Sequence, residues 1–190
     1  MSNLNVFIHV SVDGFFAGPH GEIDWFKSIE KDPEYDAFTH ERSKSGGPLL
    51  FGRTTYEMMK SFWPTPEAGK SDPDMAEVVR NSRKIVISKT LGRVEEGPTW
   101  KNITLLRQIT PKEIRELKER ERQDITILGS GSIVQQLANL RLIDNYGLVV
   151  VPNILGTGKY LFKDVDNTAL KLLQARPFKN GITFLAYSAA

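Results

Sequence analysis

Three places in this 190-residue chain combine residue types that can hold an anion. At Ile127-Leu128-Gly129-Ser130-Gly131-Ser132-Ile133 an apolar run passes through two glycines and two serines into a helical pattern. Glycine lets backbone N–H groups come close to a phosphate, and a helix that follows adds the positive end of its dipole. The last glycine of G-x-G-x-x-G is Val134 here, and no Lys-Ser/Thr pair follows. The segment is therefore neither a full dinucleotide fingerprint nor a Walker A loop, and alone it is equally well a tight turn that binds nothing. The second place is Gly52-Arg53-Thr54-Thr55, where an arginine fork and two hydroxyls meet a predicted helix start. The third is Ser88-Lys89-Thr90, after the apolar Val86-Ile87. Each is weak alone, and a capped helix with a surface arginine explains the second. All three fall at the C-terminal ends of predicted strands, the edge where open α/β sheets take ligands.

A fourth segment, Ser11 to Trp25, sets Asp13, Glu22 and Asp24 beside aromatic rings. Carboxylates next to rings can bind a flat, nitrogen-rich heterocycle by hydrogen bonding and stacking. The plainer alternatives are a turn at Asp13-Gly14 and core packing for Trp25 and Phe26. His9, His20 and His40 lack metal-ligand spacing, so no metal site is expected. No G-x-S-x-G elbow exists, which argues against a hydrolase built on the serines near Gly129. Lys118 to Arg122 alternates in sign and reads as a solvated helix face.

The elements that must position these residues follow from periodicity. Strands are predicted at Val6–Val12, Leu49–Phe51, Lys84–Ser88, Ile103–Leu106, Asp124–Leu128, Ile143–Val151, Leu170–Ala175 and Ile182–Tyr187. Helices are predicted over Asp36–Lys44 (stopped by Gly46-Gly47-Pro48), from Thr54, over Met75–Ser82, from Thr110 to about Gln123, and over Ile133–Leu140. Thr110-Pro111 with Glu113 is a capping box with proline at the first helical position. Trp63 to Asp74, rich in Pro, Gly and Asp, reads as a loop. Lys179-Asn180-Gly181 reads as a hairpin turn between the last two strands. The expected fold is α/β, with a mostly parallel central sheet, an antiparallel C-terminal edge and helices on both faces.

Composition bounds the function. One domain spanning residues 1–190 is expected. With 25 Lys+Arg against 23 Asp+Glu there is no basic surplus for a nucleic-acid partner. The absence of cysteine excludes disulfides, thiolate zinc sites and thiol catalysis. No signal-peptide pattern and no apolar run of the ~20 residues needed to span a bilayer is present, so no membrane partner and a cytoplasmic location are expected.

Taken in order, SVDGFFAGPHGEIDW (Ser11 to Trp25), LLFGRTTYE (Leu49 to Glu57), VISKTL (Val86 to Leu91), ILGSGSIVQQL (Ile127 to Leu137) and VPNILGTGKYLF (Val151 to Phe162) resemble the dihydrofolate reductase-like superfamily. The chain is most similar to the C-terminal reductase domain of the bacterial riboflavin-biosynthesis deaminase–reductase, in stand-alone form. The resemblance implies NADPH as hydride donor. Gly52, Arg53, Thr54 and Thr55 would meet the cofactor's phosphates. Ser88, Lys89 and Thr90 would line its adenosine side, near the 2′-phosphate. Gly129, Ser130, Gly131, Ser132 and Ile133 would wrap the pyrophosphate, often with a cis peptide between the first two. Asp13, Gly14, Ile23, Asp24 and Trp25 would belong to the loop over nicotinamide and substrate. Folate reductases carry an acid shortly after the tryptophan; Glu30 has that spacing here, with Asp24 as the other candidate catalytic acid, while Lys31-Asp32-Pro33 reads as a break in the helix. The implied reaction is reduction of 5-amino-6-(5-phosphoribosylamino)uracil. The alternatives are a pterin reductase and a non-catalytic NADPH-binding or sensing protein. The apolar C-terminal edge strands, with the resemblance, imply a homodimer.

Overall fold

Four helices start on one two-residue signal, a side chain that caps followed by proline. In a computed structural model, which describes residues 1–26, 29–44 and 47–189, α1 (Pro33–Ser43) is capped by Asp32, α3 (Pro66–Ser71) by Thr65, α4 (Pro73–Asn81) by Asp72 and α5 (Pro111–Arg120) by Thr110. In each the capping oxygen accepts from a first-turn N–H, and proline occupies a position whose N–H has no partner in the helix. Two sequence expectations are corrected by this. Lys31-Asp32-Pro33 does not break α1 but starts it, three residues ahead of Asp36. Trp63 to Asp74 is not a loop, because Thr65-Pro66 and Asp72-Pro73 nucleate two short helices inside it. Gly46 of the predicted stop lies outside the described residues.

The strands follow the predicted alternation. β1 is Leu4–Ser11, β3 Leu49–Gly52, β4 Lys84–Ile87, β5 Ile103–Leu106, β6 Ile125–Gly129, β7 Asn145–Val151, β9 Leu170–Pro177 and β10 Thr183–Ala189. They form one sheet in the order β5-β4-β3-β6-β1-β7-β10-β9. All neighbours pair in parallel up to β7, and β10 runs antiparallel to both β7 and β9. The sequence reading did not foresee a small second sheet of β2 (Phe15–Ala17) and β8 (Lys159–Tyr160). The two remaining α-helices among the described residues, α2 (Arg53–Phe62) and α6 (Gly131–Asn139), leave directly from β3 and β6. Among the described residues no helix is long and apolar enough to cross a membrane.

Period-2 alternation assigns the two faces of the sheet different jobs. Leu4, Val6, Ile8 and Val10 of β1 join Ile125 and Ile127 of β6 in one continuous cluster with Ile114 and Leu117 of α5 and Ile133 and Leu137 of α6. Full burial of such a side chain is worth ~1.5–3 kcal/mol, so this face anchors the central strands. The opposite face carries two separate clusters. One gathers Phe38 of α1 with Val149, Val151 and Phe184, and the other gathers Tyr56 of α2 and Val79 of α4 with Phe51, Val86 and Trp100. Asn5, Phe7 and His9 of β1 and Thr126 and Leu128 of β6 line the groove between them.

Candidate active site

The groove has a volume of about 1420 Å³ and runs over β3, β6 and β1 between α1 and the α2/α4 pair. Its upper end is built from two adjacent strand-to-helix junctions. β3 pairs with β6, and Phe51 lies opposite Gly129. Gly52 must be glycine because a Cβ there would sit 2.4 Å from Ser130 Oγ and 3.0 Å from an Ile133 side-chain carbon. Gly129 has φ 123°, a left-handed conformation that side chains rarely adopt, and a Cβ would also meet Thr55 Oγ1 at 3.0 Å. The Gly129-Ser130 peptide is cis, as the resemblance implied. Gly131 allows the ring of Phe16 to close over the start of α6, since its Cβ would fall 2.3 Å from a ring carbon.

The helices that start here differ from the other four. Gly52 at the start of α2 offers no side chain, and Ser130 at the start of α6 makes no side-chain cap. The Ser130 hydroxyl is instead within 3.1 Å of the Ser132 hydroxyl. Two uncapped N-termini therefore lie side by side at the ligand edge of the sheet, with Thr54, Thr55, Gly129, Ser130 and Ser132 lining the groove. First-turn amides with no capping side chain, together with the helix dipoles, favour an anion there. Ile133 departs from its expected role. Its side chain is buried in the core and its N–H donates to the Ser130 carbonyl at 3.0 Å.

The third predicted junction joins the same edge. Arg53 Nη1 donates to Thr90 Oγ1 at 3.2 Å, linking the ends of β3 and β4, while Arg53 Nε donates to Glu57 at 2.8 Å. Arg53 remains about half exposed. Ser88 is buried, and its hydroxyl accepts from the Thr90 and Leu91 amides, which shapes the turn. Lys89 is exposed beside it.

The expected acceptor-side residues are placed less favourably. Asp13 accepts from the Gly156 amide at 2.7 Å and the Leu155 amide at 3.2 Å. Its bond with the Ser11 hydroxyl and these two amides hold its carboxyl below the usual range. Gly14, at φ 86°, completes the turn, and its carbonyl accepts from Leu161. Asp13-Gly14 thus ties the β1–β2 turn to the loop before β8, which is the turn role. Glu22 accepts from the His20 amide within its own loop. Trp25 packs with the α1 cluster and meets Phe26 edge-on, which is the core role. Asp24 and Glu30 are exposed, and neither lines the groove; Ile23 does, as do Phe16, Ala17 and Gly21 of the same segment.

Sequence reasoning missed the polar groups that do line the groove wall. His9 Nε2 lies 2.7 Å from the hydroxyl of Tyr35, in the first turn of α1. The His9 ring stacks on Phe26 at 4.6 Å between centroids. Burial lowers the His9 pKa to about 4 and raises that of Tyr35, so both are neutral near pH 7. Alternation along β1 was the available signal, since Asn5, Phe7 and His9 share the face opposite the buried Val6 and Ile8.

The fold and the paired strand-to-helix junctions define a dihydrofolate reductase-like α/β protein. The RibD C-terminal domain family matches residues 3–184, and the chain belongs to that family. It is 28% identical over 179 residues to the uncharacterized protein YyaP of Bacillus subtilis, covering 94% of this chain and 90% of that one. A putative riboflavin biosynthesis protein from Shewanella sp. PV-4 superposes with a TM-score of 0.75 at 24% identity, over 100% of this chain and 99% of that one. Dihydrofolate reductase from Enterococcus faecalis, in complex with NADP(H) and RAB-propyl, superposes with a TM-score of 0.66 at 16% identity, over 98% and 96% of the two chains.

Proposed function

We propose that the protein is an NADPH-dependent reductase of a small flat heterocycle, with 5-amino-6-(5-phosphoribosylamino)uracil as its acceptor. The observation that carries this reading is the pair of uncapped helix N-termini at Gly52 and Ser130, open to one groove. The residues fit a dinucleotide. The first turns of α2 and α6 would hold the pyrophosphate, and Arg53, Lys89 and Thr90 would face the adenosine 2′-phosphate. When bound, NADPH supplies a hydride from its nicotinamide ring, and the protein's part is to bind, orient and keep water out. Family membership and the riboflavin-related structural neighbour support the acceptor assignment. Asp24 and Glu30 lie off the groove, which weighs against a pterin reductase relying on either acid. The test is NADPH oxidation followed by absorbance with the phosphoribosylaminouracil and with dihydrofolate. The reading expects turnover with the first. NADPH binding with no turnover of either would favour a sensing protein, and no NADPH binding would remove the assignment altogether.

The same reading takes the protein as a cytoplasmic homodimer. Its support is β9, an edge strand exposing Leu172 (54%) and Leu173 (56%), which calls for cover. Sedimentation should give twice the chain mass at micromolar concentration; a monomer there overturns the dimer.

A further inference from the structure

We propose that His9 and Tyr35 form the polar recognition element for the acceptor ring, selecting an uncharged dione- or amide-edged heterocycle over a ring that binds as a cation. This rests on the reductase reading of the groove. The geometry starts from two different elements. β1 sets His9 on the groove face, and the Asp32 cap fixes the first turn of α1, from which Tyr35 reaches across to His9 Nε2. Phe26 stacks on the imidazole, and Phe178 packs edge-on to the phenol at 5.2 Å, so neither ring is free to turn away. The pair is therefore a fixed, uncharged polar point on a wall that also carries Phe7, Phe26, Thr39 and Arg42.

Its chemistry is that of a neutral group. If the phenol donates to His9, the phenol oxygen is left to accept from a ligand N–H. If His9 donates, the phenol O–H is left to donate to a ligand carbonyl. Both arrangements complement an amide or dione edge, and neither supplies the negative charge that a protonated ring nitrogen requires. The carboxylates among the described groove-lining residues are Asp72 and Asp124. Asp72 caps α4 and pairs with His40, while Asp124 accepts from Asn3 and Asn5. Asp124 precedes β6 and holds Asn5, four residues before His9 along β1, which is roughly 13 Å at ~3.3 Å per residue. The groove lining also includes Lys159 and Lys163, whose charges disfavour a cation.

The test compares 6-aminouracil, a neutral dione ring, with 2,4-diaminopyrimidine, which takes up a ring proton, by titration into the NADPH-loaded protein at slightly acid pH. The wild type should prefer the aminouracil. Tyr35→Phe should weaken aminouracil by about 3- to 10-fold, the worth of one neutral hydrogen bond. It should leave diaminopyrimidine and NADPH affinities within about twofold, whereas a merely structural role would move all three together. His9→Phe, which keeps a ring against Phe26, should reproduce the loss. Tighter binding of diaminopyrimidine, no binding of either probe, or unchanged aminouracil affinity in both variants overturns the proposal. The cofactor affinity is read separately. A wild type that does not bind NADPH overturns the reductase reading instead, and the probe preference is then decided on the protein alone.

Discussion

The N-termini of α5 and α6 solve one problem in opposite ways. Every helix begins with N–H groups that have no partner inside it. At α5, Thr110 Oγ1 accepts from the Glu113 amide and proline removes another donor. At α6, Ser130 turns its hydroxyl toward Ser132, and at α2 the preceding residue is a glycine. The four capped helices follow a Thr-Pro or Asp-Pro pair, whereas the two uncapped ones leave directly from paired strands. The difference separates helix starts closed by a side-chain cap from helix starts whose first turn has no side-chain cap.

The comparison breaks most completely if the close approach of β3 and β6 is spoiled. Gly129→Val places a β-branched side chain at φ 123° against Thr55. NADPH affinity should fall by more than about 100-fold while circular dichroism still reports a folded protein. Gly156→Ala is the control, because Gly156 also has positive φ but open space around it. It should cost about 1 kcal/mol of stability or somewhat more and leave NADPH binding unchanged. If Gly129→Val is folded and binds NADPH like the wild type, the uncapped junction is not a cofactor loop.

A second test asks whether the edge distinguishes phosphates. Arg53→Ala should weaken NADPH by roughly 10- to 150-fold and NADH far less, if its guanidinium forks onto the 2′-phosphate through contacts of ~1.5–3 kcal/mol. Lys89→Ala should act in the same direction. Equal weakening of both cofactors by Arg53→Ala would move the arginine to the pyrophosphate. Unchanged affinities in both variants would remove the electrostatic basis of the cofactor assignment.

The groove wall should also show itself in the pH dependence of stability. His9 has a folded pKa of about 4 against an ordinary value of 6.5, so the unfolded chain binds its proton first as pH falls. The contribution is complete above pH 6.5 and is lost between there and about 4, at up to ~3 kcal/mol. In His9→Phe, urea unfolding should show that much less acid sensitivity over this window. An identical slope in both proteins would mean that His9 titrates normally.

The smallest effects belong to the capped helices. Thr110→Ala should cost about 1 kcal/mol of stability with no change in NADPH affinity, measured by denaturant unfolding and calorimetry. Asp32→Ala should cost at least as much, because its carboxylate also accepts from the Asn180 amide.

How far the sequence revealed this molecule depends on which signal each residue carries. The alternation of strands and helices survived translation into β1, β3 to β7, β9 and β10, because period-2 burial is written in Val, Ile and Leu. The three junctions at the C-terminal ends of β3, β4 and β6 were legible because each combines glycine or hydroxyl residues with a strand end. The helices starting at Pro33, Pro66 and Pro73 were misplaced or missed, although Thr110-Pro111 was read correctly from the same grammar. By sequence alone, proline beside Asp or Thr reads as a loop or break signal at three places and as a cap at one. That error hid Tyr35, since a residue cannot be set on a helix whose start is not seen. His9 was visible only as one polar residue in a strand, and its meaning depends on a partner from α1, distant in sequence. Asp24 and Glu30 drew attention by spacing to the tryptophan, but spacing along the chain did not carry their side chains to the groove.

The most direct measurement is an NMR titration of isotopically labelled protein with NADPH, following backbone amides at the helix starts. The amides of Thr54, Thr55, Gly131 and Ser132 should shift together and saturate along one binding curve, while those of Lys112 and Glu113 in capped α5 stay in place. No shift at the first turns of α2 and α6, or an equal shift at α5, would contradict the claim that the uncapped N-termini hold the cofactor.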